Sequence, residues 1–186
     1  MKNALRIFAN LNVVVTLIFF LASAFAESSS NAPSIERLRI DFVSAPDWIE
    51  IHHVEEVPEK LVIQLVRGER DIFPIATFSQ DGPAFPELVS TFKNKVGGRE
   101  ILFVIVKWRY YLSGVDTEGD YYEVHAYEAK GGEGGKIIFS ENKKITDFFG
   151  SGFDGKQEGK MVRFRFKDAS SIRKSLSHGK DWITGK

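Results

Sequence analysis

The clearest alternation of apolar and polar positions in the chain runs over residues 100–130. On its first half Leu102, Val104, Val106, Trp108, Tyr110 and Leu112 share one parity; Ile101, Phe103 and Ile105 share the other, which continues as Lys107, Arg109 and Tyr111. A strand places alternate side chains on opposite faces, so this segment is covered on both faces at its start and solvated on one face at its end. On the second half Tyr122, Val124 and Ala126 oppose Tyr121, Glu123, His125 and Tyr127. The two halves predict a long hairpin with a loop over 113–119. Placing Leu112 opposite Asp120 sets Trp108 against Val124, Arg109 against Glu123, Tyr111 against Tyr121 and Lys107 against His125. That pairing keeps apolar side chains on one face, whereas a one-residue slip would invert them.

Shorter alternations flank the hairpin. Leu38, Ile40 and Phe42 alternate with Arg37, Arg39 and Asp41, and a break at Ala45-Pro46-Asp47 follows. Strands are then expected over 48–54 and 61–67, and over 72–78, where Pro74 restricts the segment to a sheet edge because it cannot donate to a ladder. Residues 136–140 read as a short strand, and Val162, Phe164 and Phe166 alternate with Arg163, Arg165 and Lys167 over 161–167. The period changes at 85–96. Phe85, Leu88, Val89, Phe92 and Val96 have helical spacing, with Pro86 suited to a first turn and Gly97-Gly98 to a stop. A main helix is therefore predicted at about 86–96, with a final short helix over 170–177. Residues 141–159 interleave Phe148, Phe149 and Phe153 with glycines and read as a loop with buried aromatics. No βαβ alternation is visible. The pattern predicts an α+β fold: a predominantly antiparallel, curved sheet of about 7–8 strands with one main helix on one face. An open barrel or a sandwich is the alternative.

The N-terminus changes the picture of the domain. Lys2 and Arg6 precede an apolar run over 11–21 and the small-residue site Ala24-Phe25-Ala26. This is the pattern of a secretory signal peptide over 1–26, cleaved after Ala26, and the run is short for a membrane span. Residues 27–35 read as a flexible lead-in and 36–186 as one globular domain. The expected address is the periplasm or beyond. The chain has no cysteine, so a disulfide scaffold, thiol catalysis and cysteine-held zinc or haem are excluded. Stability in an oxidising compartment must come from burial, which a hydrophobic content of 43% permits.

Without residues 1–26 the chain has 23 basic and 25 acidic residues, a net of −2. The charge is uneven: residues 27–154 carry 14 basic against 22 acidic side chains, and 155–186 carry nine against three. An exported, net-acidic chain is not expected to bind nucleic acid. The uneven charge is expected to reflect a basic C-terminal segment packed beside an acidic body; the alternative is that it steers an acidic partner toward that end.

Few residues suggest chemistry. His52 and His53 stand near Glu55 and Glu56, but neighbours on a strand point to opposite faces and cannot readily share a metal. His125, Glu123 and nearby tyrosines share one face and offer acid–base groups, with no nucleophile beside them. Ser151 lacks a G-x-S-x-G frame, and no phosphate or dinucleotide loop is present. No motif identifies a family, and no cofactor or metal is expected.

Two surfaces suit binding better. One is the hairpin tip, where Tyr111 and Tyr121 flank the acidic residues Asp116, Glu118 and Asp120; tyrosines provide contact area at low entropic cost. The other is the row Arg163, Arg165 and Lys167, a candidate anion site. The expectation is a non-enzymatic periplasmic protein that inhibits, or gives immunity against, an enzyme or toxin of the cell envelope. The alternatives are a small-ligand or lipid carrier using the 148–153 region, and a hydrolase using His125 and Glu123.

Overall fold

Ten strands and two helices follow one another among the described residues. The computed structural model describes residues 35–39, 47–55, 57–68 and 71–178. The expected signal peptide, nearly all of the lead-in, the second half of the expected first strand, Glu56 and the last eight residues lie outside the described residues. The elements are β1 (Ile35–Arg39), β2 (Asp47–Val54), β3 (Lys60–Arg67), β4 (Asp71–Ser79), β5 (Pro86–Val96), β6 (Arg99–Leu112), β7 (Thr117–Gly131), β8 (Ile137–Glu141), α1 (Lys143–Phe149), β9 (Ser151–Gln157), β10 (Lys160–Val162) and α2 (Ala169–His178).

The antiparallel α+β character holds, but the strands divide into two sheets. The first has the order β1-β2-β3-β4; the second runs β10-β9-β7-β6-β5, with β8 also paired to β7. Every pairing among the described strands is antiparallel. β4 lies at an edge, as Pro74 requires, and the ladder is irregular where Gln64 meets Pro74.

Two cores share the second sheet. On one face Leu102, Val104, Val106 and Trp108 of β6 pack against Ile49 and Ile51 of β2, Leu61, Ile63 and Leu65 of β3, and Phe73 and Phe78 of β4. On the other, Ile101, Phe103 and Ile105 of β6, with Val124 and Ala126 of β7, pack against Ile145 and Phe149 of α1 and Ile172 and Leu176 of α2. The result is three layers: sheet, sheet and helices. All six residues from Ile101 to Val106 are buried, which explains the unbroken apolar run at the start of β6. At about 1.5–3 kcal/mol per buried large aliphatic or aromatic side chain, this strand is the chief source of burial energy.

The helix predicted at 86–96 is a strand. β5 pairs with β6 from Pro86↔Trp108 to Val96↔Arg99, with an extra residue between Leu88 and Ser90. Before this bulge Leu88 packs with the first core; after it Phe92 and Val96 face the second. The spacing of Leu88, Phe92 and Val96 by four is compatible with both helix and strand, and the bulge erases strict alternation. Gly97 and Gly98, at φ +56° and +80°, form a two-residue hairpin turn rather than a helix stop. The layer expected from this helix is supplied by α1 and α2. The expected final helix is present as α2, and α1 replaces part of the expected loop. Asn142 accepts from Ile145 N (3.2 Å) at its start, and Gly150 N donates to Thr146 O (2.7 Å) at its end.

The central hairpin is present with a different register. Leu112 lies opposite Thr117, Trp108 opposite Tyr121, Arg109 opposite Asp120 and Tyr111 opposite Glu118. This is a shift of three residues from the expected pairing, and His125 faces Val104 instead of Lys107. The loop is only 113–116, closed by a helical turn at Ser113–Val115 and by Asp116 in the left-handed region (φ 48°). Gly119 is a strand residue, not a turn residue. A Cβ there would lie 2.6 Å from Asp154 O and 2.7 Å from the Phe153 ring, so the missing side chain lets β9 and Phe153 close over β7.

Candidate functional site

β6 and β7 outrun the first sheet, and their far end supplies the surface on which a site can form. At the turn, Tyr111 is 72% exposed, Leu112 38% and Val115 55%. Three large apolar side chains are thus exposed within five residues at the end of two long paired strands, Leu112 on the cleft face, Tyr111 on the opposite face and Val115 in the turn between them.

The face of the second sheet that packs on the first sheet opens here into a cleft of about 430 Å³. Tyr110 of β6, Tyr121 and Glu123 of β7, and Phe153 and Gln157 of β9 line it, with Asp81 on the opposite wall. Asp81 arrives from the connection between β4 and β5. Asp81 N donates to Ala84 O (2.9 Å) and Ala84 N to Asp81 O (3.0 Å), closing a tight turn with Gly82 at φ +54°. Tyr110 donates its hydroxyl to Asp81 Oδ2 (2.5 Å), and the Tyr121 hydroxyl lies 2.7 Å from Ser151 Oγ. Burial, then the bond to Asp81 and the Asp81 charge, push the Tyr110 phenol well above its ordinary range, so it remains a neutral donor. The floor continues into Trp108, whose ring lies 6.5 Å from Tyr121 and whose Nε1 donates to Ser79 O (3.0 Å).

Deeper along β7, His125 sits between two carboxylates. Its Nε2 is 2.9 Å from Glu123 Oε2 and its Nδ1 2.8 Å from Glu141 Oε1. The location has a backbone cause. β7 pairs with β9 over residues 118–123 and with β8 over 127–131. α1 fills the gap between: Val124 N donates to Gly150 O, Asn142 N to Ala126 O and Ala126 N to Thr146 Oγ1. His125 therefore joins the end of β8 to β7 beside the start of β9. Burial lowers its pKa, but bonds to Glu123 and Glu141 and their charges outweigh burial and raise it above 6.5. For Glu141, burial raises the value, and the bond and charge of His125 with a bond from Thr146 bring it net below 4.5. An imidazolium donating from both nitrogens has no lone pair for base catalysis. Ser151 is engaged with Tyr121 rather than with this ring.

The opposite face of the hairpin is a charge ladder. Lys107 meets Glu87 (3.2 Å) and Asp120 (3.7 Å), Arg109 meets Glu118 (3.4 Å) and Asp120 (3.5 Å), and Lys156 meets Asp116 (2.6 Å). Burial, then the charges of Asp120 and Asp154, push Tyr122 on this face up to about 12. The expected acidic tip is thus divided. Tyr111, Glu118 and Asp120 take this face and Tyr121 takes the cleft, because the register shift changes which residues share a side. Asp116, Glu118 and Asp120 are each paired with a cation.

The other candidates are scattered. Lys167 pairs with Asp154 (2.5 Å), Arg165 lies over the Phe166 ring (5.1 Å) and Arg163 is exposed. The expected strand ends at Val162, so these three do not form one strand face, although Phe164 and Phe166 still pack on the second core. His52 Nε2 lies 3.3 Å from Glu50 and 2.9 Å from the Gln64 amide, on the face of β2 opposite His53. Phe149 packs in the second core, Phe148 is exposed and Phe153 faces the cleft, so they do not line one cavity. Among the described residues no group of three or more histidines or carboxylates is placed to hold a metal, and no helix is long and apolar enough to cross a membrane.

Sequence reasoning missed Asp81 and Gln157, and did not bring Tyr110 of the tip and Phe153 of the expected carrier region together in one cleft. Asp81 and Tyr110 are 29 residues apart and meet only when the sheets stack. The available signal was the parity of Tyr110 with Trp108, which already placed it on an apolar face. Comparison with protein-family models, with curated proteins and with solved structures finds no match to this chain.

Proposed function

We propose that the chain is an exported, non-enzymatic binding protein of the inhibitor or immunity type, which engages an enzyme or toxin of the cell envelope through the tip of the β6–β7 hairpin. The observation that carries this reading is the exposure of Tyr111, Leu112 and Val115 together on a turn held by two long paired strands. Large apolar side chains on a preorganised turn bind at low entropic cost. The signal-peptide pattern over 1–26 supports the exported address. Because Asp116, Glu118 and Asp120 are paired within the protein, the contact is chiefly apolar and only weakly sensitive to salt.

Affinity capture on residues 27–186, with mass spectrometry of the eluate, tests the reading. A stoichiometric envelope protein retained by the parent chain and lost from a Tyr111→Asp, Val115→Asp variant is the expected result. Each substitution should cost about 2 kcal/mol or more of binding. A partner held equally by both chains would remove the tip from the interface.

A further inference from the structure

The cleft beside the tip has a polarity that the tip lacks. Among the described residues no lysine or arginine lines it, while two carboxylates, Asp81 and Glu123, do. Even with His125 protonated, its trio with Glu123 and Glu141 is net negative by one, and Asp81 adds another. The hydroxyl donors of the cleft are engaged internally, and among the described residues the Gln157 amide is the one further side-chain donor in its lining. Tyr110 donates to Asp81, Tyr121 and Ser151 share a hydrogen bond, and the Thr117 hydroxyl donates to Val115 O. The polar lining is therefore acceptor-rich, and Tyr110, Tyr121 and Phe153 supply aromatic walls of the kind a cation favours. A polyol needs donors and acceptors in alternation and an anion needs donors. A guest that only donates satisfies this lining, and ammonium and guanidinium groups only donate.

We infer that the cleft takes an alkylammonium or alkylguanidinium group, its head toward Asp81 and Glu123 and its stem along the aromatic walls. A free organic amine and a lysine or arginine side chain of the partner share this chemistry; the second source rests on the binding function proposed above.

Amide NMR titration of the whole 27–186 chain with n-butylammonium and n-propylguanidinium tests the site, with n-butanol and methyl glucoside as neutral probes. Saturable shifts at Tyr121 and Phe153 are expected for the cations alone, weakened about fivefold in Asp81→Asn, a change at an exposed residue that leaves the fold intact. Tyr111→Asp should leave these shifts unchanged, which separates a failure of the cleft from a failure of the tip. No saturable shift, equal binding of a neutral probe, or unchanged affinity in both Asp81→Asn and Glu123→Gln would overturn the inference. Release of the captured partner by n-butylammonium would assign the cation to a partner side chain. An amine in the small-molecule eluate, with capture unaffected, would assign it to a free ligand.

Discussion

His125 shows how a residue that looks catalytic in sequence can act as a fastener. Its ring is held from both sides by Glu123 and Glu141 at the point where β7 passes from one neighbour to the next. His125→Gln should cost about 1–3 kcal/mol of stability, read from urea midpoints, because it leaves two carboxylates facing a neutral group. The cost should depend on pH. His125 is raised, so its contribution is full below pH 6.5 and fades as pH climbs through the raised value; Glu141 is lowered, so its contribution is full above pH 4.5 and fades as pH falls through the lowered value. The difference between parent and variant should therefore be largest between those values and shrink on either side; a flat difference would remove the charged clamp. Gly119→Ala tests the neighbouring strand. With Asp154 O and the Phe153 ring at the missing Cβ position, it should cost about 2–4 kcal/mol and disturb the cleft, as thermal unfolding and Tyr110 amide shifts would report.

At the scale of elements, β5 is the instructive case. Its apolar residues fall at a helical spacing because a bulge moves them from one core to the other within a single strand. Deleting Val89, the unpaired residue of the bulge, should restore strict alternation with Leu88 still opposite Val106 and Phe92 still opposite Phe103, so both cores stay filled and the melting temperature moves by only a few degrees; a large loss of stability would show that the bulge itself is required. Replacing Gly97-Gly98 with Asn-Gly should preserve stability within about 1 kcal/mol, since both residues tolerate the positive φ that a two-residue hairpin turn needs, as urea unfolding would report. α1 was legible in principle. Asn142 before Lys143 and Gly150 after Phe149 are start and stop signals seven helical residues apart, but the glycines around Phe148, Phe149 and Phe153 read more simply as a loop.

For the whole molecule, stability and proposed binding are spatially separate. The second sheet is shared by both cores, so Phe103, stacked on Phe92 at 5.1 Å and edge-on to Phe149 at 5.7 Å, lies where loss is least tolerated. Phe103→Ala should cost about 3–5 kcal/mol. The exposed tip residue Tyr111 should tolerate serine within about 0.5 kcal/mol, while partner capture falls. Denaturation and capture run side by side on the two variants would check the separation.

Strand propensity, the antiparallel class, the edge position of β4, α2 and the passage of β6 from buried to solvated were written in the order of side chains, because alternation and proline act within a few residues. The absence of cysteine likewise settled that burial, not cross-linking, holds the chain together. The tertiary structure alone decided the hairpin register, the division into two sheets and the cleft. Register depends on how the tip closes and on Gly119 accommodating β9, and neither is visible from one strand's periodicity. The cleft requires Asp81 and Tyr110, far apart in sequence, to meet as one sheet stacks on the other. Local sequence specifies which face a side chain takes, and long-range packing specifies what lies across from it.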